Sequence, residues 1–133
     1  MVLDTSAVLA ILQNESERRQ FNEAIDAAEA RSLSTASFVE CSMIVESRYG
    51  ADGVRDLDLF IAKAQISLVP VDEEQANLAR RAFRKYGKGS HPAALNFGDC
   101  FSYALSKALQ EPLLFKGNDF SQTDVDCHPA SSA

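Results

Sequence analysis

Met1-Val2-Leu3-Asp4-Thr5-Ser6-Ala7-Val8-Leu9-Ala10-Ile11-Leu12 is the stretch whose reading decides the fold. Three apolar residues run into an acid and two hydroxyl residues, side chains that cap helix N-termini by accepting backbone N–H bonds, and an apolar run follows. The stretch reads as a very short strand, a cap and a helix.

Working outward, the same alternation repeats. Asn14 to Ala30 is polar with Phe21, Ala24, Ile25 and Ala28 at spacings of three and four, the pattern of a helix with one buried face. Arg31 to Thr35 reads as a short strand, and Ser37 and Glu40 have the spacing of a capping box opening a helix to about Tyr49. Gly50 and Gly53 break it, and Val54 to Ala64 resumes with Leu57, Phe60 and Ile61 on one face. Ile66 to Val71 is a third strand, after which Asp72 caps an amphipathic helix to about Tyr86. Gly87 to Asn96 reads as an irregular loop, Gly98-Asp99 opens a helix through about Leu109, and Pro112 ends it. Leu113-Leu114-Phe115 is the last clear strand, Gly117-Asn118-Asp119 is turn chemistry, and a weaker strand signal lies near Val125. Short apolar strands separated by helices call for an α/β domain: a short parallel sheet flanked by helices on both faces. The domain is expected to span residues 1–127, with 128–133 a disordered tail.

Composition agrees. At 133 residues, 46% hydrophobic and 24% charged, the chain suits one globular core and excludes fibrous or low-complexity readings. The longest nearly unbroken apolar stretch, Ser6 to Leu12, is far short of the roughly 20 residues of a membrane span. No basic segment or cleavage site of a signal peptide precedes Asp4, so a cytoplasmic location is expected. Cys41, Cys100 and Cys127 are odd in number and widely spaced, which argues against a disulfide framework or a thiolate zinc site. A net charge of −6 argues against nonspecific, charge-driven nucleic-acid binding. It leaves open an enzyme that gathers carboxylates around metal ions and keeps a local basic patch.

The acids fall where such an enzyme would need them. Ligands of open parallel sheets gather at the carboxyl ends of the strands. Asp4 directly follows the first strand, Glu40 lies in the early helix after the second, Asp99 begins the helix before the last, and Asp119 lies four residues after Phe115. On a helical wheel Glu40 points between Met43 and Ile44, where an unneutralised carboxylate is costly. Glu46 reads as a surface residue. Each acid alone also reads as a cap or turn residue; together they make a four-carboxylate site whose repulsion a divalent cation or shared protons would relieve. Mg2+ or Mn2+ takes such oxygen ligands and supports phosphodiester hydrolysis. Thr5 and Ser6 add hydroxyls at the same edge, able to orient water or a phosphate oxygen.

Arg80, Arg81, Arg84, Lys85 and Lys88 lie within nine positions, and Lys116 follows the last clear strand. Of these, Arg84, Lys85, Lys88 and Lys116 are the candidate RNA-phosphate contacts, against the plainer reading of a solvated helix face. His91 and His128 fall in the loop and the tail, poorly placed for a triad or a two-histidine ribonuclease.

The motifs Met1 to Ala7, Ser34 to Glu40, Asn96 to Ala104 and Leu113 to Phe120, in this order and at these separations, resemble the PIN-domain toxins of VapBC toxin–antitoxin systems over nearly the whole chain. The resemblance implies a Mg2+- or Mn2+-dependent endoribonuclease that cuts structured RNA, tRNA or rRNA, and stops translation. It also implies a VapB-type antitoxin that neutralises it, a homodimer, larger toxin–antitoxin hetero-oligomers, and promoter DNA reached only through the antitoxin. Carried over by position, the family's three metal acids fall on Asp4, Glu40 and Asp99, and Ser6 matches a hydroxyl residue near the metal. The family's fourth acid would fall on Gly117, so Asp119 is the available substitute among the catalytic acids.

Two rivals come from other classes. A catalytically inactive PIN-like binding module is favoured by Gly117 and opposed by the intact set Asp4, Glu40 and Asp99. A phosphoacceptor receiver domain would use Asp72 and Lys116, but it needs an acidic pair after the first strand, where this chain has Asp4-Thr5.

Overall fold

The computed structural model describes residues 1–133. Four strands, β1 (Val2–Leu3), β2 (Ser32–Ser34), β3 (Ser67–Val69) and β4 (Leu113–Leu114), form one sheet in the order β3-β2-β1-β4. All three pairings are parallel. Five helices surround it: α1 (Thr5–Leu12), α2 (Arg18–Ala27), α3 (Thr35–Lys63), α4 (Glu73–Tyr86) and α5 (Phe97–Leu109). A single 3-10 turn follows at Phe120–Gln122. The expected α/β class and parallel sheet are those observed.

Side chains alternate across a strand, so even a two-residue strand feeds two cores. Leu3 and Leu114 join Leu33, Phe21 and Ile25 under α1, α2 and α3, while Val2 and Leu113 join Leu95, Leu105 and Tyr86 under α4 and α5. The central strands β1 and β4 are buried on both faces and wholly apolar, whereas β3 at the sheet edge is largely exposed.

Several boundaries move for identifiable reasons. The second helix starts at Arg18 instead of Asn14, because Asn14 takes a left-handed φ of 56° and residues 15–17 turn tightly. It ends at Ala27 instead of Ala30, where the Arg31 guanidinium donates to the Ile25, Asp26 and Ala28 carbonyls. The expected capping box at Ser37 and Glu40 is wrong. Ser34 caps α3, its Oγ accepting from the Ala36 N–H, so Ser37 and Glu40 sit within the helix. The helix does break at Gly50 (φ 67°), while Gly53 stays helical with Val45 and Tyr49 against it. Asp72 caps α4 as expected, accepting from Gln75 N–H.

The weak strand near Val125 is a pair of isolated parallel bridges, Leu113 with Cys127 and Lys116 with Ser132. The expected tail is tied along β4: His128 N–H donates to Leu113 O, Ser132 N–H to Phe115 O, and Gln20 Nε2 to Ala130 O. No helix is long and apolar enough to cross a membrane.

Candidate active site

The chain leaves β1 leftward to β2 and β3 and returns to the other side of β1 as β4. The crevice outside the carboxyl ends of β1 and β4 is therefore the sheet's switch point, where open α/β sheets bind ligands. Asp4 stands at that point. Its backbone N–H continues the ladder to Leu114 O at 3.0 Å, and its side chain caps α1, accepting from the Ser6 N–H at 3.0 Å. The residue is buried, at 4% exposure.

Three hydroxyls hold the acids. Ser6 Oγ donates to Asp4 Oδ2 at 2.6 Å and itself accepts from the Lys116 N–H, joining the acid to the chain beyond β4. Ser102 Oγ, fully buried on α5, donates to Asp4 Oδ1 and lies 3.3 Å from the buried Ser37 Oγ. Thr5 Oγ1 donates to Glu40 Oε1 at 2.6 Å. Thr5 and Ser6, expected to orient water or phosphate, are instead spent on the carboxylates. The sequence offers Ser37 only as a cap and gives Ser102 no role as a support of Asp4, because a helical serine carries no periodic signal and these partners lie 65 and 98 positions apart.

Glu40 reaches the site over the first turn of α5. A Cβ on Gly98 would stand 2.3 Å from its Oε2 and 2.7 Å from its Oε1, so the carboxylate rests on the bare glycine backbone. Glu40 does not lie in the apolar setting that its helical-wheel position predicts: Met43 is 64% exposed, and Glu40 is only half-buried. What singles it out is Thr5 and Gly98. Glu46 is exposed, as expected.

Asp99 is the third residue of α5. With Asn96 it forms a capping box: Asn96 Oδ1 accepts from the Asp99 N–H at 2.9 Å and Asp99 Oδ2 accepts from the Asn96 N–H at 3.0 Å. Burial pushes Asp99 up to about 7, and the charges of Asp4 and Asp119 push the same way. Asp4 is raised too, burial outweighing its hydroxyl and backbone donors. Asp119, exposed at the mouth, lies against Asp99. Gly117 has a φ of 115°, which side chains rarely adopt, so an acid at that position would be strained. Asp119, two residues on, is the acid that faces Asp99.

No Lys or Arg forms an ion pair with Asp4, Glu40, Asp99 or Asp119. The four face one edge without closing into a preformed cage of three metal-competent groups. The Lys116 ammonium pairs with Glu15 and, at 3.1 Å, with Glu17, 101 and 99 positions back along the chain. Lys85 lies over the Tyr86 ring at 5.1 Å. Arg84 lines the α4–α5 groove and Lys88 is exposed past the end of α4; no contact joins these cations to the acids. Both histidines serve backbone, His91 Nδ1 accepting from Ala93 N–H and His128 Nδ1 from Ala130 N–H.

Ser102→Ala is expected to cost about 1–3 kcal/mol, the penalty of leaving a buried acceptor unpaired. Thermal melts of the Ser102→Ala and Ser37→Ala variants check it: the larger loss belongs to Ser102, which touches Asp4 directly, and equal losses would contradict that.

The PIN domain family profile matches residues 1–126. Ribonuclease VapC30 of Mycobacterium tuberculosis is 50% identical over 125 residues, 94% of this chain and 95% of that protein. Ribonuclease VapC of Mycolicibacterium smegmatis is 51% identical over 125 residues, 94% of this chain and 97% of its own length. Among solved structures, Mycobacterium tuberculosis VapC20, a sarcin-ricin loop cleaving toxin, superposes with a TM-score of 0.75 at 13% identity, covering 93% of this chain and 95% of that one. VapBC2 of Rickettsia felis, bound to a DNA fragment from its promoter, gives 0.75 at 12% identity and 96% coverage of both.

Proposed function

The chain belongs to the PIN domain family, and from that premise we propose that it is a VapC-type toxin: a divalent-metal-dependent endoribonuclease that hydrolyses structured RNA and thereby inhibits translation. The observation that carries the reading is the group of four acids gathered at the switch point, Asp4 and Asp99 among them raised by burial, with no basic side chain paired to any of the four. That donor set is all carboxylate oxygen and fits Mg2+ or Mn2+. Asp4, Glu40 and Asp99 are the residues that would hold the cation, and Asp119 the fourth acid at the mouth.

A bound Mg2+ or Mn2+ supplies Lewis acidity, offsetting phosphate charge and making water acidic enough to attack phosphorus at neutral pH. The chain's own residues supply orientation. Ser6 and Ser102 fix both oxygens of Asp4, Thr5 fixes Glu40, and the Asn96 N–H fixes one oxygen of Asp99, so the carboxylates cannot turn away from the crevice. None of these residues need act as a nucleophile.

The neighbours of known structure include toxin–antitoxin assemblies, which supports a VapB-type antitoxin as partner and hetero-oligomers as assembled forms; a homodimer rests on the family resemblance alone. The rRNA class is supported by the sarcin-ricin loop cleaving neighbour, tRNA by the family resemblance alone. The reading places the protein in the cytoplasm, where its substrate is.

Purified protein incubated with total cellular RNA and Mg2+ or Mn2+ is expected to produce discrete new RNA ends, abolished by chelator. Mn2+ at about a hundredfold its dissociation constant should also stabilise the RNA-free protein by about 2.7 kcal/mol. A folded, antitoxin-free preparation that neither cleaves nor gains stability with either metal refutes the reading.

A further inference from the structure

Phe97, the first residue of α5, is 79% exposed although it stands two residues before Asp99. Its one aromatic partner is Phe101, with centroids 4.8 Å apart and planes at 78°, and most of the residue is open to solvent. Across the groove α4 presents Phe83, 48% exposed, together with Arg80 and Arg84. These residues line a space of about 790 Å3 between the two helices. A second, wholly polar hollow beside it is lined by Asn77, Arg80, Arg81 and Arg84. None of the three arginines joins an ion pair, in a chain of net charge −6.

Packing explains none of this. An amphipathic helix hides its aromatic residues and spreads its charges, whereas α4 and α5 put bare rings and unpaired guanidinium groups on one surface that borders the acids. Open aromatic faces take nucleobases, and guanidinium groups take phosphates bidentately. We infer that this face is the substrate platform: an unpaired stretch of RNA lies along the α4–α5 groove, one base stacked on Phe97 and the flanking phosphates held by Arg80 and Arg84. The platform rests on the proposed ribonuclease activity and narrows it, because a base inside a duplex has no free face to offer. The adjoining arginine hollow favours a polyanion over an apolar protein helix.

The test uses wild-type protein and a synthetic RNA spanning a cleavage site mapped from the total-RNA experiment, beside a version whose cleavage site is closed by base pairing. Phe97→Ala should raise KM about 5- to 150-fold, the range for a lost base stack, with kcat nearly unchanged. Phe97→Tyr, which keeps a ring, should restore KM. Arg80→Gln/Arg84→Gln should raise KM and flatten its dependence on salt by about one phosphate contact per arginine. The closed RNA should bind wild type and Phe97→Ala equally poorly. Because Phe97 is so exposed, the variants keep the wild-type melting temperature. Wild type that cleaves while Phe97→Ala keeps the wild-type KM overturns the platform and leaves the ribonuclease reading standing; wild type that cleaves nothing overturns both. A Phe97→Ala enzyme with normal KM but a changed sedimentation coefficient assigns the face to contact between copies and equally overturns the platform.

Discussion

Asp99→Asn is expected to lower RNA cleavage about 100- to 1000-fold, the scale on which one preorganised electrostatic group at a reacting centre is felt, and to leave the protein more stable than it was. The two effects have one cause. In the folded chain a negative Asp99 stands against Asp4 and Asp119 with burial removing water's relief, so its carboxyl sits at about 7. The neutral amide keeps the shape and can still accept from the Asn96 N–H, so the capping box survives. An acid whose folded value is raised contributes stability below its unfolded value of 3.8, and loses it as pH rises through about 7. With chelator present, the melting temperature of Asp99→Asn should therefore exceed that of wild type by more at pH 8 than at pH 5. Cleavage within tenfold of wild type would remove Asp99 from the site, and a lower melting temperature at pH 8 would refute the charge argument.

Gly98→Ala separates stability from activity more sharply. In a helix the exchange is favourable by about 1 kcal/mol, since glycine leaves more backbone freedom to lose. Here the new methyl would stand 2.3 Å from Glu40 Oε2, so the carboxylate must leave its place and the Thr5 hydroxyl with it. A displacement of about 1 Å at a reacting centre costs on the order of 100-fold in rate. The expected variant melts at or above the wild-type temperature and cleaves about 100-fold more slowly. Measured kcat together with a thermal melt decides it; full activity would mean that Glu40 is not held where the chemistry needs it, and lost activity with a lowered melting temperature would mean only a damaged helix.

What could be read from the residues was what is local. Asp4 between an apolar triplet and an apolar run announces strand, cap and helix by itself, and Asp72 before the amphipathic α4 does the same. The start of α3 was misread because Ser34, Thr35 and Ser37 all suit a cap, and the choice is made by β2 pairing with β3 as far as Ser34 opposite Val69. For Glu40 the local pattern misleads, since its neighbour Met43 lies in solvent, while its contacts, Thr5 and Gly98, are 35 positions behind it and 58 ahead. The partners of Lys116, Glu15 and Glu17, lie at the other end of the sequence. Side chains whose partners are distant in sequence leave no periodic trace, and most of the site's supports are of that kind.

The hydrogen bonds that build the site span long stretches of chain: Thr5 to Glu40, Ser102 to Asp4 across 98 positions, and Ser6 to Lys116 across 110. A ribosome making this protein releases the first acid almost at once and the last three only over most of the remaining synthesis. Until β4 has left the exit tunnel and closed against β1, Asp4 has neither Ser102 nor the Ser6–Lys116 link to hold it. The arrangement of these acids is therefore completed only near the end of synthesis, when the chain that carries β4 closes against β1.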